Sequence, residues 1–171
     1  MATPFALQRL TTQFVAEEDR LRVAGALNTG QTRVFWLTQR LLLRLLPALV
    51  QRIATQDQSA WPSDLVLGFQ QDAARAAMAP QPAVVVESHE GAWLVDAVDV
   101  VSNSQSTQLR FRGLVADQQA EVVLDTQALR QWLDIVYEQF LVAQWPMNVW
   151  PAWMGRPLTS VAAETLPSVL H

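Results

Sequence analysis

The sequence predicts an α+β domain: an antiparallel sheet, or two adjoining ones, with two long helices on one face, built by internal duplication of a strand–strand–helix unit. Three observations predict it. Two apolar helix patterns, "QRLLLRLLPALVQRI" from Gln39 and "QALRQWLDIVYEQFLVA" from Gln127, each follow a β-branched or aromatic run and start behind a threonine, Thr38 and Thr126. At a fixed spacing of 88 without gaps, nine positions between Leu21 and Leu45 meet identical residues between Leu109 and Leu133, where composition alone gives about two. Strand patterns fill much of the chain between residues 83 and 124.

Length and composition bound the answer. A chain of 171 residues, half of them hydrophobic and 16% charged, fits one domain with a core of its own. Cysteine is absent, which excludes disulfides, thiolate nucleophiles and cysteine-held metals. The start, "MATPFALQRLTTQ", lacks a charged region followed by an apolar run, and no apolar stretch reaches the ~18 residues of a membrane span. A cytoplasmic protein with no membrane partner is expected.

Taken in order, a strand is expected around "TTQFVAE", then a hairpin in "LRVAGALNTGQTRVFWLT" turning at Asn28-Thr29-Gly30. Thr38 caps the helix from Gln39, which Pro47 is expected to kink because proline has no N–H to donate. "TQDQSAWPS" reads as a linker and Ser63 as the cap of a short helix stopped by "PQP" at 80–82. Four strands follow, "AVVVE", "AWLVDAVDVV", "TQLRFRGLV" and "AEVVL". The last helix places Leu129, Trp132, Leu133, Val136 and Phe140 on one face. The organisation is one domain of two pseudo-repeats, about 10–55 and 83–143, joined by a helical linker (56–82) and followed by a Trp- and Pro-rich arm (144–171).

This order of strands and helix, used twice, is similar to that of the Whirly-type single-stranded nucleic-acid binders. The likeness is one of element order and implies an open sheet face as the binding platform. Alternation puts Arg20 and Arg22 opposite Leu21 and Val23, and Arg110 and Arg112 opposite Leu109 and Phe111, with Arg33 joining them. Such a face suits nucleic acid or an acidic partner. Cross-strand pairing with acids such as Glu121 is the plainer reading, and the net charge of −4 opposes phosphate binding. Lysine is absent, and residues 1–55 hold seven arginines against three acids while the rest is acidic. A chain so divided pairs its halves internally or pairs with a copy of itself.

Catalytic residues are scarce. The histidines are His89 and His171, and the glycines are too scattered for a phosphate loop. Glu87, His89 and Glu90 gather in "ESHEG", but their spacing fits no metal or hydrolase motif and reads first as a solvated turn. No catalytic residue, metal or cofactor is assigned. The arm "QWPMNVWPAWMGRPL" concentrates Trp145, Met147, Trp150, Trp153 and Met154, residues that anchor interfaces or cover a wide apolar helix face. The leading expectation is a non-enzymatic, bacterial-type interaction or accessory module that forms a homodimer through this arm, its protein partner unidentified. Single-stranded nucleic-acid binding ranks second.

Overall fold

The computed structural model describes residues 3–56, 60–61 and 63–155. Along the chain come β1 (Phe5–Val15), β2 (Arg20–Leu27), β3 (Thr32–Thr38), α1 (Gln39–Gln56), α2 (Ser63–Ala76), β4 (Trp93–Leu94), β5 (Ala97–Ser102), β6 (Ser106–Arg112), β7 (Gln119–Asp125), α3 (Thr126–Ala143) and a 3₁₀ turn (Ala152–Met154). The seven strands form one sheet in the order β4-β3-β2-β1-β7-β6-β5. Two contacts in it are parallel, Phe5↔Ala120 between β1 and β7 and Phe35↔Trp93 between β3 and β4.

The expected antiparallel sheet with two long helices on one face is therefore wrong. The sheet is mixed, curled into a half-barrel and accompanied by three helices. Alternation and turn chemistry find hairpins, which are local and antiparallel. They carry no information about Phe5 meeting Ala120 across more than a hundred residues. The gapless spacing of 88 also fails as a structural register. Arg22 pairs with Trp36, but Arg110 pairs with Glu121 rather than Leu124. On β3 and β7 positions 88 apart thus point to opposite faces: Phe35 is fully buried while Val123 is 60% exposed.

Curling brings distant strands together. Phe35 on β3 and Phe111 on β6 are four strand spacings apart in sheet order, roughly 19 Å in a flat sheet, yet their ring centroids are 4.8 Å apart. The two edges meet at a corner between β4 and β5. There Val95 N–H donates to the Trp36 carbonyl at 3.0 Å, and Asp96 N–H donates to the Arg112 carbonyl at 2.8 Å. One face of the sheet, with Leu21, Val23, Leu37, Leu109 and Val122, shares a single core with the apolar faces of α1 and α3.

The helices follow their patterns. Thr38 Oγ1 accepts from Leu41 N–H at 3.2 Å and starts α1. Helix α1 runs on through Pro47, which is exposed. For α3 the cap is Asp125, not Thr126: its carboxylate accepts from Ala128 N–H at 2.7 Å. The five apolar residues expected inward on α3 are all buried. "AVVVE" is not a strand. Residues 77–92 cross the far face of the sheet as an irregular strap, and Val84 packs there on Ala24 and Val34. Val84 N–H donates to Thr11 Oγ1 at 2.8 Å, and Thr32 Oγ1 donates to the Val85 carbonyl at 3.3 Å.

Gly25 marks a close approach. A Cβ there would lie 2.7 Å from Leu7 Cδ2, and Leu7 is itself buried next to the β1 register shift between Leu7 and Arg9. The glycine near the end of β2 thus has a packing cause: the missing side chain is space that Leu7 fills. Gly25→Ala is expected to destabilise the protein by about 1–3 kcal/mol through overpacking. A chemical melt showing no loss of stability in this variant would contradict the tight fit.

Candidate functional site

The arginines expected to form a platform do not come together as one. Arg20 and Arg22 lie on β2, Arg110 and Arg112 on β6, and β1 and β7 stand between these strands. Each is engaged locally. Arg22 donates to Gln13 Oε1 at 2.9 Å and sits 3.2 Å from His89 Nε2. Arg20 lies 3.8 Å from Glu18. Arg110 meets Glu121 at 3.1 Å, and Arg112 meets Asp99 at 2.8 Å. Arg33 is on the other side of the sheet, across from Gly25, with its guanidinium 4.2 Å from the centre of the Phe5 ring. On β6 both arginines are paired with cross-strand carboxylates, which makes them poor attractors of phosphate, whereas on β2 Arg22 is held by the neutral Gln13 side chain.

Glu87, His89 and Glu90 are exposed on the strap. His89 neighbours Trp36, with ring centroids 6.0 Å apart. Among the described residues no three His, Asp or Glu side chains gather as metal ligands. His171 lies outside the described residues, as does the arm beyond Gly155.

The described part of the Trp-rich arm packs on its own chain. Trp145, Trp150, Trp153 and Met154 are buried, and Met147 is partly buried against the main core. Trp145 stands edge-on to Phe14 and Phe140, with centroids 5.5 and 5.1 Å apart, and its Nε1–H donates to Asp19 Oδ1 at 3.0 Å. Trp150 packs the same way on Tyr137 and Phe140. Side chains already covered by their own chain have little surface left to anchor another.

One exposed apolar group lies on α2 and in the bend just before it. Leu65 and Phe69 on α2 are 52 and 65% exposed and lie one turn apart on one side of the helix, and Trp61, 73% exposed, stands in the bend before α2 starts at Ser63. The opposite side is unusually polar for a buried face: Leu67 and Ala74 are accompanied by Gln71, which has no exposed surface. Gln71 Nε2 donates to the Arg130 carbonyl at 3.0 Å, and Gln131 Nε2 donates to the Ala74 carbonyl at 2.9 Å. Arg75 donates through Nε and Nη2 to Asp134 Oδ1 at 2.8 and 2.7 Å. That hydrogen bond, more than the surrounding charges, holds the Arg75 guanidinium above its ordinary pKa, against the opposing effect of burial. α2 is thus fixed to α3 by polar contacts and turns its largest apolar side chains to water. Reading the sequence as core pattern plus linker missed this site. The spacing of Trp61, Leu65 and Phe69 was the available signal.

No family model matches this chain, and comparisons with curated proteins and with solved structures find nothing similar to it. Among the described residues no helix is long and apolar enough to cross a membrane.

The arm is expected to act as part of the core. Trp150→Ala should cost about 3–5 kcal/mol, the usual range for emptying a packed tryptophan site, while leaving the sedimentation coefficient of the folded protein unchanged. A variant that melts like the wild type, or that changes its association state, would contradict this.

Proposed function

We propose that the protein is a non-enzymatic interaction module that forms a homodimer by laying α2 against α2 of a second copy. One observation carries this reading: α2 buries polar groups against its own chain and exposes Leu65 and Phe69, with Trp61 exposed in the bend just before it. Left in water, this stripe is unfavourable by the ordinary hydrophobic term. A two-fold axis through it sets like residues against like, as a dimer contact requires. The segregated charge of the chain is compatible with such pairing.

Size sets the strength. The three side chains expose on the order of 400 Å² of apolar surface, taking full burial of an aromatic as about 150–250 Å². Two copies would remove roughly 800 Å², below the ~1,200–2,000 Å² of a standard stable interface. The pairing is therefore reversible and depends on concentration. Because α2 is already held in place by Arg75 and Gln71, little ordering of the helix is needed on contact.

Sedimentation equilibrium over a wide concentration range tests this. The wild type should rise from monomer toward dimer mass, and Phe69→Glu should remain monomeric with its melting temperature within a few degrees of wild type, since exposed substitutions usually stay within about 0.5 kcal/mol. A wild-type chain that stays monomeric at millimolar concentration removes the dimer.

A further inference from the structure

We infer that the seam between β1 and β7 holds a slot for an extended, acidic peptide segment of a partner protein, taken up as an added strand. The inference does not depend on the α2 pairing. β1 and β7 pair only at Phe5↔Ala120 and Ala6↔Glu121, although β1 runs on to Val15 and β7 to Asp125. Beyond Ala6 the two strands part, and a cavity of about 650 Å³ lies between them. Leu10 and Thr12 line it from β1, Val122 and Leu124 from β7, and Trp132 and Ile135 from α3. Residues 77–83 of the strap border it on the far face of the sheet.

Backbone groups on both walls of the slot lack partners. From Arg9 to Val15 the ladder with β2 is regular, so successive residues turn their N–H and C=O groups alternately toward β2 and away from it. Phe14 N–H points away, donating to Gln139 Oε1 at 2.8 Å. Leu10 and Thr12 share that direction, and among the described residues no group hydrogen-bonds to their backbone on this side. On β7 the same alternation, set by Gly113 N–H on the Gln118 carbonyl at 2.8 Å, turns the Val123 backbone toward β1. Thr12 is nonetheless buried, and its Oγ1 accepts from Trp132 Nε1–H at 3.1 Å. Buried backbone groups without partners are costly. An extended peptide carries donors and acceptors on both edges and matches such walls, as in strand addition to an open sheet edge. The wall from Gln8 to Thr12 is roughly 13 Å long at the rise of a strand, room for about four or five residues.

Side chains on the walls define the segment. Among the described residues Arg9 is the one charged side chain lining the slot, and no carboxylate pairs with it. That places a single positive charge beside the incoming chain and favours an Asp or Glu on it. Leu10, Met78 and Ile135 give the slot apolar surface, which suits the β-branched residues of an extended segment. A compact organic molecule fills the same volume but leaves the Leu10, Thr12 and Val123 backbone groups unmatched.

Backbone amide exchange and calorimetric titration of the full chain test the slot, with acetyl-Thr-Val-Thr-Val-Glu-amide as the probe. In the free chain Leu10 and Thr12 N–H should exchange at least about tenfold faster than Thr11 and Gln13 N–H of the same strand, and the probe should slow them. Equal exchange at all four in the free chain overturns the open seam, and no binding of the probe at millimolar concentration overturns the site. The same peptide methylated on its backbone nitrogens should bind at least about tenfold more weakly, the loss expected for backbone hydrogen bonds. Methylated and parent peptides of equal affinity would show apolar filling alone and overturn strand addition. Replacing the probe's glutamate by glutamine should weaken it about fivefold on the wild type. On Arg9→Gln, which alters an exposed residue, the two probes should bind alike. An equal loss on both chains overturns the acidic character of the segment.

Discussion

The corner at Val95 and Asp96 governs the architecture. Two successive N–H groups donate to carbonyls of strands next to the two ends of the sheet order, Trp36 on β3 and Arg112 on β6. A sheet tied in this way has to curl, and the curl makes one concave face that long side chains must fill. Phe35, Phe111 and Trp93 do so near the corner, with Phe35 within 5.3 Å of Trp93 by ring centroids. α1 and α3 supply the rest of the core, and the buried tryptophans of the arm cover what the two helices leave open. The same tie shelters strand edges that would otherwise present unpaired backbone to other chains.

Secondary structure was legible in the sequence where the periodic signal is long. Leu129, Trp132, Leu133, Val136 and Phe140 recur with the helical period, and that is enough to orient α3. "AVVVE" shows the limit: β-branched residues suit a pleated sheet, but they suit a strap lying on its surface equally well. The mixed sheet was not legible, because the contact of Phe5 with Ala120 depends on tertiary structure alone. Repeated identities between Leu21 and Leu45 located two hairpins each followed by a helix, yet a three-residue difference in hairpin register was enough to turn Val123 outward.

The candidate surface was hidden for a related reason. Trp61, Leu65 and Phe69 look like core residues until Gln71 and Arg75 are seen to face inward. Composition cannot tell which side of a short helix wins, because a few well-made hydrogen bonds to buried partners can outweigh the transfer of apolar side chains. In the arm the balance goes the other way. Trp145 and Trp150 are buried, and their aromatic neighbours Phe140 and Tyr137 come from a helix that the sequence had already oriented.

The seam between β1 and β7 also bears on how the chain reaches this state. Only Phe5 and Ala6 pair across it, with Ala120 and Glu121, whereas the hairpins on either side are paired along their length and close over short loops. Local loops close at small entropic cost and long ones at greater cost, so the hairpins can form before the seam. Contacts of such sequence separation slow folding. Substitutions at Phe5 or Ala120 should therefore act chiefly on the unfolding rate if the seam joins after the transition state. Stopped-flow folding and unfolding rates of a Phe5→Leu chain would place the seam early or late in the sequence of events.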